Sequence, residues 1–249
     1  MNKFNLIKML LFFALLIIIQ SCNNGKNDNK ENIDNNFTKI TVYCDEAIYN
    51  IMTYPAKEFD SLNIRSEINL VKTTAFDAMA RLLATEAEII IISRDYSKRE
   101  DSLLKAFNVK KHLRMNIAND ALVFFTKYDF PLDTLTDSQI RNLLSDKKVT
   151  FSQFYPKLKE EPYFIINSNL SSEYFNLKKI VNKDNPIKRP LKMMPTSDSV
   201  IKYVLSNPNV IGIGYLSQIL TQPDLKPISI SYIDSAGNYM FPRVVHQAN

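Results

Sequence analysis

Ile89-Ile90-Ile91-Ile92-Ser93-Arg94-Asp95-Tyr96-Ser97 decides how this chain folds. Four consecutive isoleucines leave no polar face for water, so the run reads as a strand buried on both sides, as in parallel sheets sandwiched between helices. The residues before it alternate in period. Lys39 to Tyr43 is a short strand, and Asp45 opens a stretch in which Ile48, Ile51, Met52 and Phe59 recur at helical spacing. Ile68 to Val71 is a second strand, followed by a helical run with Phe76, Met79, Ala80, Leu82 and Leu83 on one face. Strand, helix, strand, helix, buried strand predicts an α/β fold with a parallel sheet covered on both faces. Beyond the isoleucines, Ser97 and Glu100 form a capping box for a helix running through Leu103 and Leu104 to Phe107.

A second series begins after Asn119-Asp120. Ala121 to Thr126 is a strand, Thr136 with Gln139 caps a helix ending near Leu144, and Tyr163 to Ile166 is a strand again. Ser171 to Val181 and Ser197 to Leu205 read as helices, and Val210 to Tyr215 as a strand. Gly212 and Gly214 in that strand are small enough for another backbone to come close. Two α/β sets in one chain predict two lobes with a cleft between them.

The first 22 residues carry a basic start (Lys3, Lys8), an apolar run from Met9 to Ile19, and then Gln20-Ser21-Cys22. The run is shorter than the roughly 20 residues a spanning helix needs, and its flanks are those of a cleaved secretory signal. Residues 1–22 therefore read as a lipoprotein signal peptide with Cys22 as the lipidated first residue of the mature chain. An uncleaved anchor is the alternative. Either arrangement tethers the remainder outside the cytoplasm, and the first places the protein in the cell envelope, lipid-anchored and facing the periplasm from the inner or the outer membrane. Residues 23–36 are Asn, Asp, Lys, Glu and Gly around a single apolar Ile33, a tether that cannot build a core.

Composition excludes several function classes. Removing Lys3 and Lys8 with the signal leaves 29 basic against 26 acidic residues, and no clustered Lys/Arg face interrupts the chain, so no nucleic-acid footprint is expected. With Cys22 acylated, Cys44 has no disulfide partner; with only His112 and His246 elsewhere, it reads as a small semi-buried residue rather than a nucleophile. Four glycines, at 25, 212, 214 and 237, leave no phosphate-cradling loop. There is no Gly-x-Ser-x-Gly elbow, no paired histidines at metal spacing and no Cys-x-x-Cys, so no catalytic residue, metal or cofactor is expected.

An ordered set of segments carries a family resemblance. It comprises Thr41-Val42-Tyr43-Cys44-Asp45-Glu46, Ile92 to Ser97, Asp120-Ala121-Leu122-Val123-Phe124-Phe125, Asp133 to Arg141, Asn167-Ser168-Asn169-Leu170-Ser171-Ser172, and Asn207 to Tyr215. In this order they resemble the phosphate-binding lipoproteins of the phosphate ABC transporter, in the type II periplasmic binding protein superfamily, most of all the Bacteroidetes version. The resemblance covers most of 37–249. It implies a two-lobed type II periplasmic-binding-protein-like α/β fold with crossover strands: lobe 1 from about 37–118 and 216–249, lobe 2 from about 119–215. It further implies a monomer that captures phosphate or a similar oxyanion and hands it to an ABC permease.

Holding an oxyanion without metal calls for N–H groups at helix starts, donating hydroxyls and a guanidinium. The residues at predicted strand ends are Asp45 and Glu46, Ser93 and Arg94, and Asn167, Ser168, Ser171 and Ser172. Arg94 would be the guanidinium, Ser93, Ser171 and Ser172 the donors, and Asp45 the acceptor of a hydrogen phosphate's proton. Each has a plainer reading: Ser171 and Ser172 as helix caps, Arg94 as a partner of Asp95 or Glu100, Asp45 and Glu46 as complements to a helix dipole. Two departures from the family stand out. Its Ser-Ser-Gly-Thr, or Ser-Ser-Thr followed by a basic residue, is here Ser171-Ser172-Glu173-Tyr174, which replaces a donor or a cation with a carboxylate. Its Tyr-Pro stretch, whose arginine packs back onto the first lobe, has no counterpart before Asn249, so a shortened relative and a truncated frame are both open; under the second, lobe 1 lacks a core strand. An accessory lipoprotein with a degenerate cleft is the alternative function, favoured if Tyr174 or Phe175 fills the cleft.

Overall fold

The computed structural model describes residues 37–109 and 112–241. The expected signal peptide, Cys22, the tether and the stretch 242–249 lie outside the described residues. Among those described, no helix is long and apolar enough to cross a membrane.

Two separate sheets organise the fold. In the first lobe, β1 (Thr38–Asp45), β2 (Ser66–Thr73) and β3 (Ile89–Ile91) form a parallel sheet in the order β2-β1-β3. Asp45 lies level with Thr73 at one end of β1, and Cys44 pairs with Ile91. Parallel strands require crossovers, supplied by α1 (Tyr49–Leu62) and α2 (Ala75–Leu83), with α3 (Lys98–Ala106) following β3. The predicted capping box is present: Ser97 accepts from the Glu100 N–H at 3.2 Å, and Glu100 accepts from the Ser97 N–H at 2.7 Å.

Two expectations for this lobe are corrected. The isoleucine strand is not buried, because β3 is an edge paired only with β1 among the described residues, and Ile89 is 43% exposed. On α2 the packed face is Ala75, Ala78, Met79 and Leu82. Phe76 and Ala80 lie one stripe away and are exposed, because residues 3.6 apart, not apolar residues as such, share a helix face. The lobe's core is small, built on Met79, Leu82 and Leu104 with Ile90, Ile92 and Tyr96 against it.

After 112–121 the chain enters the second lobe, a six-stranded sheet in the order β5-β9-β4-β8-β6-β7. Its strands are β4 (Leu122–Lys127), β5 (Thr134–Leu135), β6 (Tyr163–Asn167), β7 (Leu191–Met194), β8 (Val210–Tyr215) and β9 (Leu225–Ile230). Strand alternation sorts side chains onto two cores. Phe124, Phe164, Ile166, Ile211 and Ile213 face one, which α4 (Asp137–Ser145) covers with Ile140, Leu143 and Leu144. Phe125, Ile165 and Val210 face the other, under Val200 and Val204 of α6 (Ser197–Ser206). Burying each large apolar side chain contributes about 1.5–3 kcal/mol, so this lobe carries most of the packing.

The helix expected over 171–181 is α5 (Ser172–Asn176) followed by a π-helical turn, Leu177–Val181. A short α7 (Leu216–Ile219) leads into β9, which pairs with β4 and β5. Leu225–Ile230 therefore belongs to the second sheet and not to the first lobe, because Ile228 and Leu225 bury themselves in the two cores of that sheet. A small hairpin, β10 (Tyr232–Ile233) with β11 (Tyr239–Met240), closes the described chain.

Candidate functional site in the inter-lobe cleft

The carboxyl ends of β1, β3 and β6 and the starts of α5 and α6 meet where the lobes touch. Open α/β sheets gather ligands at this end because the strands stop there and helix starts point their N–H groups inward. Asp45, the last residue of β1, is fully buried. Its Oδ2 accepts from the Ser93 hydroxyl at 2.7 Å, from the Ser93 N–H at 3.3 Å, and from the Ser172 hydroxyl of the other lobe. Its Oδ1 accepts from the Ala47 N–H at 3.3 Å. A buried carboxylate left without such donors would be costly, and these four satisfy it.

Beside it runs a hydrogen-bonded chain across the lobes. Glu46 accepts from the Asn167 amide, which also donates to the Ser197 hydroxyl at 3.1 Å; Ser197 donates to Glu173 Oε1 at 2.7 Å. Burial pushes the Glu46 carboxyl up, against the pull of Asn167 and Lys72. Glu173 is fully buried at the start of α5, and its Oε2 has no partner. Burial, and then the Asp45 charge, push its carboxyl above the usual range, against the downward pull of Ser197, its own backbone N–H and Ser171. A third contact joins Asn176 and the Tyr215 hydroxyl, which both donate to the Ser93 carbonyl at 2.8 Å. Burial pushes the Tyr215 phenol up, so it serves here as a donor.

Of the expected site residues, Asp45, Glu46, Ser93, Asn167 and Ser172 come together. Ser171 does not join them: its hydroxyl accepts from the Tyr174 N–H at 3.2 Å, the plain N-cap role. Ser168 stays within its own turn, with its N–H on Asn167 Oδ1 at 2.6 Å and its hydroxyl accepting from the Leu170 N–H at 3.1 Å. Arg94 does not face the cleft as a free guanidinium. It makes a bidentate pair with Glu100, at 2.6 and 2.8 Å, donates to the Asp95 carbonyl at 2.9 Å, and lies 4.8 Å over the Phe175 ring. Burial raises the Glu100 carboxyl, but Arg94 and the Ser97 N–H outweigh it and hold the group below its ordinary value. The capping residue that starts α3 thus takes the cation the cleft was expected to use.

Sequence reasoning missed Ser197, Asn176 and Tyr215 as members of the network. Ser197 follows β7, a strand too short and polar-flanked to be read, and that strand end was the available signal. Tyr174 packs against the second lobe's core, and Phe175 lies against Arg94 on the wall of a cavity of about 380 Å³ at the cleft's mouth, with Phe76, Met79 and Leu103. No group of three or more His, Cys, Asp or Glu able to hold a metal exists among the described residues.

The sequence profile described as the PBP superfamily domain matches residues 14–232. No curated protein matches the chain. Among solved structures, a Clostridium perfringens protein assigned as a phosphate ABC transporter substrate-binding protein, with bound phosphate, aligns at TM-score 0.64 and 16% identity, over 77% of this chain and 75% of that one. A Vibrio cholerae ABC-type phosphate transport receptor aligns at TM-score 0.57 and 12% identity, over 77% and 76%. The CcmR regulatory domain of Synechocystis, in complex with 2-PG, aligns at 0.55 and 13%, over 78% and 81%. At these identities the likeness is one of fold.

Proposed function

Because the chain belongs to the type II periplasmic binding protein superfamily, we propose that it is a lipid-anchored, extracytoplasmic solute-binding protein whose cleft captures a small oxyanion, phosphate foremost, for an ABC transporter. It is a binding protein and not an enzyme. The observation that carries the reading is the convergence of donors from both lobes on one acid: the Ser93 N–H and hydroxyl and the Ser172 hydroxyl meet at Asp45. In the structure these donors hold the Asp45 carboxylate. A hydrogen phosphate entering as the lobes part would accept from the serines with its oxygens and donate a hydrogen bond from its O–H to the Asp45 carboxylate, a donor that a fully ionised sulfate lacks. Ligand contacts drawn from both lobes then favour closure. The phosphate-bound relative of the same fold supports this choice of ligand.

Calorimetry of the full-length chain with phosphate, sulfate and molybdate tests it. Phosphate should give heat and sulfate none. Asp45→Asn should weaken phosphate binding by roughly tenfold to a hundredfold, the loss of a charged hydrogen bond worth about 1.5–3 kcal/mol. Heat with none of the three anions overturns the reading in favour of the accessory lipoprotein. That second reading draws on a specific observation: the lobes already bond directly through Ser172 and Asp45, and Arg94 is committed to Glu100.

A further inference from the structure

Glu173 is fully buried in the first turn of α5, and the fold gives it an environment that an ionised carboxylate does not suit. Its Oε1 is held by Ser197, while Oε2 is buried without a partner among the described residues. From the first lobe, Asp45 faces it with a carboxylate that is equally buried, and Glu46 reaches the same Ser197 through Asn167. From β8, the Tyr215 phenol faces the pair and spends its proton on the Ser93 carbonyl. The nearby cations are engaged elsewhere: Arg94 with Glu100, and Lys72, which acts on Glu46, with Asp198 of α6 at 3.6 Å. Two like charges buried together without a counter-ion cannot both persist. A metal would relieve them, but the described residues offer no group able to hold one. A single proton does the same work, because a neutral carboxyl is far cheaper to bury than a charge.

We propose that Glu173 is a proton-operated latch: the lobes close over it when its carboxyl is protonated and part as the pH of the surrounding compartment rises. The proposal concerns regulation of the binding cleft and rests on the reading of that cleft as one that opens and closes. When the lobes part, Asp45 and Glu46 leave with the first lobe, water reaches Glu173, and its carboxyl returns toward the ordinary value of about 4.3. In the closed form burial and Asp45 raise it. The group is raised in the closed state, so closing takes up a proton. Its contribution to closure is complete below the open-state value and is lost as pH rises through the closed-state value.

Inter-lobe distances measured by electron paramagnetic resonance test this in the absence of ligand. The full-length chain carries Cys22→Ala, and nitroxide labels sit at Lys57→Cys on α1 and Lys202→Cys on α6, both exposed positions. Cys44 is fully buried, and burial followed by the Asp45 charge pushes its thiol up to about 12, so it stays unlabelled. Between pH 4 and pH 9, a range of about five units chosen to bracket ordinary and raised carboxyl values, a short distance should give way to a longer one. Glu173→Gln should keep the short distance throughout. A distribution that ignores pH, or an unchanged pH profile in Glu173→Gln, overturns the latch. Asp45→Asn, which removes the opposing charge, should flatten the profile; a profile as steep as the parent's counts against the latch even if the Glu173 variant fails to fold. Phosphate calorimetry on the same chain separates the two ideas. Distances that follow pH without phosphate heat leave the latch standing and remove the ligand, and the reverse pair of results does the opposite.

Discussion

Arg94 shows how one neighbour redirects a residue. A guanidinium directly after an apolar strand, at the mouth of a cleft, has the position of an anion ligand, yet Glu100 lies six residues on, at the third position of α3. There the capping geometry points its carboxylate back at the strand end, and Arg94, 5% exposed, meets it with two parallel bonds. A buried pair of this kind is expensive to break, because the surviving charge is left uncompensated. Glu100→Ala should therefore destabilise the protein by about 3–5 kcal/mol in chemical denaturation. Arg141→Ala, which removes an i,i+4 pair with the more exposed Asp137, should cost less than about 1 kcal/mol. Similar losses for the two variants would mean that the Arg94 pair is not the structural tie described. The same experiment separates a folding role for Arg94 from a ligand role, since Glu100→Ala leaves the guanidinium in place.

Among the elements, the β4–β8 pair has the tightest steric constraint. Gly212 was expected to admit a neighbouring backbone, and what it admits is the Phe125 ring: a Cβ there would lie 2.4 Å from the ring. Phe125 belongs to the core that also contains Ile165, Val200 and Val204, so the ring has little room to retreat. Gly212→Ala should cost about 1–3 kcal/mol by overpacking, and Phe125→Leu in the same chain should cost less than the sum of the two single changes. Additive losses would show that the ring is not the obstacle. Capping behaved differently, because it is local: Ser97 with Glu100 and Thr136 with Gln139 both form the boxes expected of them, through side chains that satisfy N–H groups within one turn.

For the molecule as a whole, the two lobes are unequal. The second has a six-stranded sheet with a core on each face, whereas the first rests on three strands and a small cluster around Met79. The contacts between them are mostly polar, which suits lobes that separate and close: hydrogen bonds at the strand ends and at α5, Gln218 on the Ala47 carbonyl, the Lys72–Asp198 and Lys179–Asp95 ion pairs, and the Arg94 guanidinium over Phe175. Anchoring belongs to the whole chain too. If Cys22 carries lipid, metabolic labelling with a fatty acid should mark the parent chain and leave Cys22→Ala unmarked; equal labelling of both would remove the lipoprotein assignment. More than one acyl chain is needed for stable attachment, since a single chain binds only marginally.

Local patterns in the chain pointed to the α/β class, most strand positions, the two capping boxes, and the strand ends and helix start at which Asp45, Glu46, Ser93, Asn167 and Ser172 lie. Each of these depends on periodicity, on side chains within a turn, or on the rule that strand ends face the cleft, and all three are written in short windows of sequence. The tertiary structure alone decided that the isoleucine strand is an edge, that Leu225–Ile230 joins the second sheet, and that Ser197, Asn176 and Tyr215 complete the network. Those outcomes depend on which distant segments meet. The buried juxtaposition of Asp45 with Glu173, 128 positions apart in the chain, is the plainest case, because neither carboxylate reveals from its own neighbours that it will face another in the interior.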